Sequence, residues 1–381
     1  MEKRLHLLGP SHPDALISMG NLASTYTLKG NWPEAEKLQV EVIEKQQQLL
    51  GPAHPATLTS MNNLASTHHK QGKWAMAEKL DVEVMEKRQQ LLGPAHPDTL
   101  TSMGNLASTY MAQGKWTTAE KLQTEVLENT QQLLGPSHPD TLRSMGNLAL
   151  TYHKQGKWAE AEKLEVEVME KKKQLLGPAH PDTLTSMGNL ALTYHNQGKW
   201  AETEELQVKV MEKTLLLLGP AHPDTLISMG NLAFTYMDQG KLIEAEKLGV
   251  EVMEKRQQLL GPAHPHTLIS MENLASIYMD LGKWTEAEHL QVEVVKKTQD
   301  LLGSCHSCTL TCMGNLALTY QNQGKLTEAE KLQAEVMEKT QQLLGPSHPH
   351  TLISMGNLAG TYQKQGKWTE AEKLKVEKHS S

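Results

Sequence analysis

The sequence predicts an all-α solenoid, nine helix–turn–helix units stacked one on the next. Gly93-Pro94-Ala95-His96-Pro97-Asp98-Thr99-Leu100 is one of nine near-copies spaced 42 residues apart, which begin at Gly9, Gly51, Gly93, Gly135, Gly177, Gly219, Gly261, Gly303 and Gly345. Each copy carries two runs of apolar residues at helical spacing, each closed by a glycine except the second run of the ninth copy. No composition shift or Pro/Ser-rich linker interrupts the 381 residues, so a single array over 1–381 is expected rather than several globular domains. A period of this length belongs to stacked repeats, in which each unit contacts its neighbours and function lies on a long surface.

The third copy shows how each element arises. Pro97 suits the first helical position, where its missing N–H costs nothing, and Asp98 complements the positive end of the helix dipole. Leu100, Met103, Leu106, Ala107 and Tyr110 form a one-sided stripe. Gly114 ends this first helix, because glycine tolerates the left-handed conformation required there. Trp116, Ala119, Leu122, Val126 and Leu127 mark a second helix, which Gly135-Pro136 stops. Neither stripe can be buried within one unit, so successive pairs must stack. All eight tyrosines share the Tyr110 phase, with His68 in the remaining copy, and all seven tryptophans share the Trp116 phase, with Leu242 and Leu326 in the other two. These aromatics are expected to pack around the small residue at the Ala107 position. The recurring turn histidine, as in His96-Pro97, is expected to serve the turn or cap the helix, since packed helices lie about 8–10 Å apart and metal bonds are about 2 Å.

Both ends are out of phase with a whole unit. Met1-Glu2-Lys3 with Leu7-Leu8-Gly9 matches Met85-Glu86-Lys87 with Leu91-Leu92-Gly93, so residues 1–8 read as the remnant of a preceding helix. Lys375-Val376-Glu377-Lys378 stops before the Leu-Leu-Gly turn. The chain is therefore expected to be part of a larger array.

The motif Leu106-Ala107-x-x-Tyr110, Gly114, Trp116 and Ala119 resembles the tetratricopeptide repeat signature. With Asn105-Leu106-Ala107, Gln113-Gly114-Lys115-Trp116, Glu120-Lys121-Leu122 and the Leu-Gly-Pro-x-His-Pro turn, the 42-residue unit resembles the kinesin light chain variety, which also occurs in the repeat halves of NACHT- and NB-ARC-type signalling proteins. The resemblance implies a right-handed superhelix whose first helices line a concave groove that binds peptide segments. One departure is Gln123, which stands where the family often has a tyrosine.

Composition narrows the function. The net charge of −7 brings no basic stripe, which argues against nucleic acid, and no apolar run nears the roughly 18 residues of a membrane span. Interleaved Lys and Glu, as in Glu78-Lys79 and Glu86-Lys87, read as a solvated helix face, and three cysteines cannot frame nine units. A cytoplasmic protein without cofactors is expected. No phosphate-binding loop, nucleophile elbow or His-Glu-x-x-His pair is present, so the chain is not expected to be an enzyme. Cys305-His306-Ser307-Cys308 with Cys312 has spacing that can hold zinc, yet the same copy has lost both turn prolines and reads better as a drifting unit.

The candidate site is the groove. An asparagine column that includes Asn63, Asn105, Asn147, Asn189, Asn231 and Asn273 recurs on the first helix, where asparagine is a poor interior residue but can both donate to and accept from a peptide backbone. A variable column reads Ser108, Leu150, Leu192, Phe234 and Leu318, with Gly360 near the end. Another carries His69, Lys70, Arg143, His153, Lys154 and His195 in copies two to five. Copies six and seven have Asp238, Glu272 and Asp280 instead. The expected partner is a protein segment with acidic residues over copies two to five and an apolar anchor near Leu192 and Phe234. Its alternatives are a kinesin-light-chain-like cargo adaptor and the repeat sensor half of an NB-ARC/NACHT-type protein.

Overall fold

The computed structural model describes Gly9 and residues 11–380, with side chains described through Val376. The expected remnant at residues 1–8 lies outside the described residues. Contacts divide the chain into two compact units, Met1–Gln197 and Gly198–Ser381. The first contains α1–α9: Pro13–Leu28, Trp32–Leu50, Pro55–Lys70, Trp74–Leu92, Pro97–Ala112, Trp116–Leu134, Pro139–Gln155, Trp158–Leu176 and Pro181–Asn196. The second contains α10–α18: Trp200–Leu218, Pro223–Asp238, Leu242–Leu260, Pro265–Asp280, Trp284–Leu302, Ser307–Asn322, Leu326–Leu344, Pro349–Lys364 and Trp368–Ser380. Odd-numbered helices are the first helices of their copies and even-numbered helices the second. No strand occurs among the described residues, and the fold is an all-α solenoid of helix–turn–helix repeats.

Local chemistry sets each boundary. His96 is extended (φ −67°, ψ 141°) at the N-cap of α5, and its Nδ1 accepts the Asp98 N–H at 3.1 Å. The same bond recurs from His12 to His348, which establishes the capping role of the turn histidines. One turn on, buried Thr99 donates its hydroxyl to the Gly93 carbonyl at 2.9 Å, tying the start of α5 to the turn it leaves. At the other end Gly114 takes φ +75°. The Lys115 N–H then reaches the Tyr110 carbonyl at 2.9 Å and the Gly114 N–H reaches Met111 at 3.1 Å, the bond pair of a Schellman ending.

Leu100, Met103, Leu106 and Ala107 are buried as the stripe predicts, as are Ala119, Val126 and Leu127 on α6. The core belongs to neighbours rather than to single copies. Leu127 of α6, Leu142, Met145 and Leu148 of α7 and Val168 of α8 form one cluster, and Ile43, Leu58, Met61, Leu64 and Val84 form another across α2, α3 and α4. Each such side chain stabilises by about 1.5–3 kcal/mol when buried, and none could be buried without the next copy.

The tryptophans depart from expectation. Trp74, Trp116 and Trp284 are each 41% exposed, so they stand at the surface rather than filling space around the Ala107 position. The reason is positional: tryptophan opens the second helix, one turn before the buried stripe begins at the Ala119 phase. Tyr110 is half-buried.

Replacing His96 with alanine removes an N-cap acceptor and should cost about 0.5–2 kcal/mol, read as a lower urea midpoint with an unchanged far-UV spectrum. Asparagine at the same position should restore most of the loss.

Candidate functional site

The face of the first helix turned away from the stack holds positions spaced i, i+4, i+7 and i+11. On α7 these are Arg143, Asn147, Leu150 and Lys154, and all four are exposed. Asn63, Asn147, Asn189, Asn231 and Asn273 are exposed and Asn105 is half-buried. The Asn105 amide donates to the Asn62 side chain at 2.6 Å, and that of Asn315 donates to Glu272 Oε2 at 2.9 Å. These two bonds form where Asn62 and Glu272 replace the glycine common at that phase. Leu150, Leu192, Phe234 and Leu318 are 51–55% exposed. Leu192 belongs to the first compact unit and Phe234 to the second.

The basic set separates into two groups. Lys70 and Lys154 are exposed, and Arg143 is exposed while pairing with Asp140 at 2.9 Å. His153 instead points into the stack: its Nε2 lies 3.2 Å from Glu165 Oε1 and 2.5 Å from the Thr193 hydroxyl, with Trp158 edge-on at 5.2 Å. One residue of helix rotates the side chain by about 100°, which separates His153 from Lys154. His153 therefore belongs to a repeat interface, and the expectation that it offers charge to a ligand is corrected.

That interface explains the unusual Gln123. It is buried and accepts from the hydroxyl of Thr151, 28 residues later on the next first helix. The same lock joins Thr109 to Asp81 at 2.7 Å, Thr193 to Glu165, Thr319 to Gln291 at 2.5 Å, and Thr361 to Gln333. Burial pushes the Asp81 carboxyl up, against the bond from Thr109. In copies six and seven both partners change: Gly249 faces Ile277, and a Cβ built on Gly249 would lie 3.1 Å from Ile277 Cδ1. A methyl-bearing side chain occupies the space that the longer acceptor fills elsewhere.

A second contact clamps neighbouring copies from outside. Lys115 lies over the Tyr110 ring at 5.2 Å and donates to Glu78 of the previous copy at 3.0 Å. Lys73, Lys157, Lys241, Lys283, Lys325 and Lys367 make equivalent ion pairs at 2.6–2.8 Å. Glu78 is thus part of an interface, not of a purely solvated face. Hydrogen bonds from Gln113 and Lys115 hold its carboxyl below the usual range, as the bond from Lys367 does for Glu330. At Glu36, Glu120 and Glu288 partial burial acts the other way and is outweighed by bonds from Lys73, Lys157 and Lys325 together with their glutamine neighbours.

Sequence reasoning missed the position four residues before the asparagine. Ile227, Ile269 and Ile353 stand there, 49%, 52% and 57% exposed. Their i−4 spacing on the asparagine face was the available signal. It also missed the Leu-Leu pairs that close the second helices, such as Leu91 and Leu92, which are exposed at 55% and 43%. The cysteines are not gathered: Cys305 and Cys308 are exposed at the turn and Cys312 is buried in α15, its thiol pushed up to about 12 chiefly by burial and then by nearby Glu272. Among the described residues no three His, Cys, Asp or Glu side chains are grouped to hold a metal, and no helix is long and apolar enough to cross a membrane.

Family models described as tetratricopeptide repeat match residues 14–86, 61–110, 98–174, 224–300, 269–329 and 306–375, and a second model of that description matches 183–224. The chain belongs to the tetratricopeptide repeat family. It is similar to the nearly identical TPR-like repeats of a Podosopora anserina putative kinesin light chain, at 33% identity over 55% of this chain and 97% of that one, with a TM-score of 0.50. The apo quorum sensor NprR from B. thuringiensis shares the fold at 12% identity over 96% and 98% of the two chains, TM-score 0.61. A STAND protein with a tetratricopeptide repeat sensor from Pyrococcus horikoshii does so at 15% identity, over 91% of this chain and 52% of that one, TM-score 0.57. No curated protein matches. The repeat family and these neighbours indicate a protein-interaction scaffold.

Two measurements check the interfaces. Gly249→Gln and Ile277→Thr should each destabilise alone, by crowding and by a cavity, whereas the double variant recreates the Thr–Gln lock. A coupling of about 0.5–3 kcal/mol in a denaturation cycle is expected. The depressed glutamate values give a stabilisation that is full above the ordinary carboxylate range near 4.3 and lost as pH falls through the lower folded values. Melting temperature should therefore drop below about pH 4.3, and less so in Lys115→Met.

Proposed function

We propose that this chain is a non-enzymatic scaffold that binds extended peptide segments across its first helices, the concave groove expected of the family. The unbroken 42-residue period argues for one functional array over 1–381. The observation that carries the reading is the set of exposed asparagines, with Asn63, Asn147 and Asn189 making no side-chain hydrogen bond among the described residues, on the same face as exposed Lys70 and Lys154. An amide offers one acceptor and two donors, the complement of an extended backbone. Each bond contributes only about 0.5–1.5 kcal/mol net, so the ladder acts through its number. Lys70, Arg143 and Lys154 fit acidic side chains, and Leu150 and Leu192 offer apolar contact within the first compact unit. A kinesin-light-chain-like adaptor is the more specific version of this reading, favoured over a sensor half by the 33% identity to the Podosopora anserina repeats.

A fluorescein-labelled peptide with three Glu-Leu pairs flanked by Gly-Ser tests the reading by anisotropy with the full chain. Lys70→Glu, Arg143→Glu and Lys154→Glu together should weaken binding by at least tenfold. Asn147→Ala with Asn189→Ala should weaken it about tenfold without loss of helicity. Unchanged affinity in the charge-reversed chain would remove the proposal.

A further inference from the structure

The last turn of α10 differs from the ends of the other second helices. Leu215-Leu216-Leu217-Leu218 fills it, where copies one to three, six and eight have Gln-Gln before the leucine pair, copy four has Lys173-Gln174 and copy seven Gln299-Asp300. At 3.6 residues per turn, four successive leucines make the turn apolar on every side. α10 also has 19 residues against 16 in α11. Thr214 is its last buried residue, and all four leucines beyond it are exposed, Leu216 by 86%. A helical turn that is hydrophobic all round calls for burial, which the packing of the copies on one another does not provide here.

The charges one turn earlier have changed as well. In six other copies the lysine at the Lys213 phase pairs with a glutamate four residues before it, as in Lys87–Glu83 and Lys255–Glu251. In copy five that earlier position is Lys209, which pairs with Glu205, and among the described residues Lys213 makes no ion pair. Glu212 is exposed and makes none either. Its i+3 and i+4 neighbours are Leu215 and Leu216, whereas Glu170 has Lys173 and Glu338 has Gln342. Leu216 therefore stands one turn above a glutamate and a lysine on its own side of the helix, neither held by an ion pair among the described residues.

Such a patch is complementary to itself. Its centre is apolar and its rim carries one charge of each sign, so a second copy related by a two-fold axis supplies the cover and the opposite charges together. With the axis running along the helices, Leu216 meets Leu216, and each Lys213 lies beside Glu212 of the other copy. The size agrees. Leu259 and Leu260 of the next second helix, 52% and 44% exposed, extend the leucines to a patch on the order of 300–600 Å², the largest found on a typical monomer. The charged rim brings it towards the about 800 Å² that each partner gives to a stable interface. We infer that the end of α10 is the centre of an isologous contact between two copies of this chain.

Sedimentation equilibrium of the full chain tests the contact, and a monomer–dimer equilibrium is expected. Leu215→Gln with Leu216→Gln installs the pair found in five other copies. It should therefore keep far-UV helicity while weakening the dimer at least tenfold. Glu212→Lys and Lys213→Glu should each weaken the dimer severalfold. An equal mixture of those two variants should recover it, because each chain then supplies the charges that the other lacks. A chain that stays monomeric at high micromolar concentration would overturn the inference. So would a dimer that the leucine variant leaves unchanged, or a mixture that associates no better than its parts. Sedimentation of a monomeric chain with dioleoylphosphatidylcholine vesicles, lost in the leucine variant, would give the turn to a lipid surface and overturn it too.

Discussion

The reversal of the chain at each Gly-Lys turn is the constraint on which the other contacts depend. Glycine enters the left-handed region at Gly114, Gly156, Gly240, Gly282, Gly324 and Gly366, a conformation that costs an L-side chain roughly 1–2 kcal/mol. That single conformation directs the following lysine N–H to the tyrosine carbonyl. It also carries the ammonium group onto the tyrosine ring and within reach of the previous copy's glutamate. The usual Schellman ending places an apolar contact between these same two positions. Here a cation over a ring replaces it, so a helix ending and an inter-repeat bond become one structure. The histidine caps and the Thr99-type hydroxyls close the opposite ends of the pairs, so the helices meet at defined places before any core residue is considered.

Given those turns, the apolar stripes have little choice. Leu127, Leu142, Met145 and Val168 come from three consecutive helices, and their burial requires all three. The buried polar locks then select how the layers register. A buried hydroxyl or amide without a partner costs about 1–3 kcal/mol, so Thr151 and Gln123 disfavour any stacking that separates them. What lies outward is the asparagine, the Leu150 position and the isoleucines of the second unit. The candidate surface is thus the remainder of a packing problem, and apart from the constant asparagine its residues vary more than their buried neighbours one or two positions away.

Most of the fold was legible because its signals are local. Pro97, Gly114 and the stripe from Leu100 to Tyr110 each act within a few residues, and the nine copies repeat the message. The tryptophans were misplaced because their type suggested burial, whereas the first turn of a second helix lies beyond the stripe. His153 was read with Lys154 because adjacent residues look alike in a charge column, although a helix turns them to different surroundings. The Thr151–Gln123 lock was hidden for another reason, since its partners lie 28 residues apart and glutamine on a helix ordinarily reads as solvated. The joint change to Gly249 and Ile277 was the one trace it left in the sequence. On the site, the exposed asparagines and Lys70 were foreseen from their phase, while the isoleucine row was not, because those residues had the composition of a core.

The pairing of Gly249 with Ile277 bears on how such an array changes length. Nearly identical tandem copies misalign readily, and unequal exchange adds or removes whole 42-residue blocks. Where a copy offers glutamine behind it and threonine ahead, the newly joined neighbours still fit, and the product folds as before. The boundary between copies six and seven is different, because the half-lock on either side has no match in the other copies. An exchange that parts Gly249 from Ile277 sets a threonine against an empty space or an isoleucine against a glutamine. An array that keeps this seam intact keeps copies six and seven side by side, and with them the stretch of surface from Ile227 to Asp280.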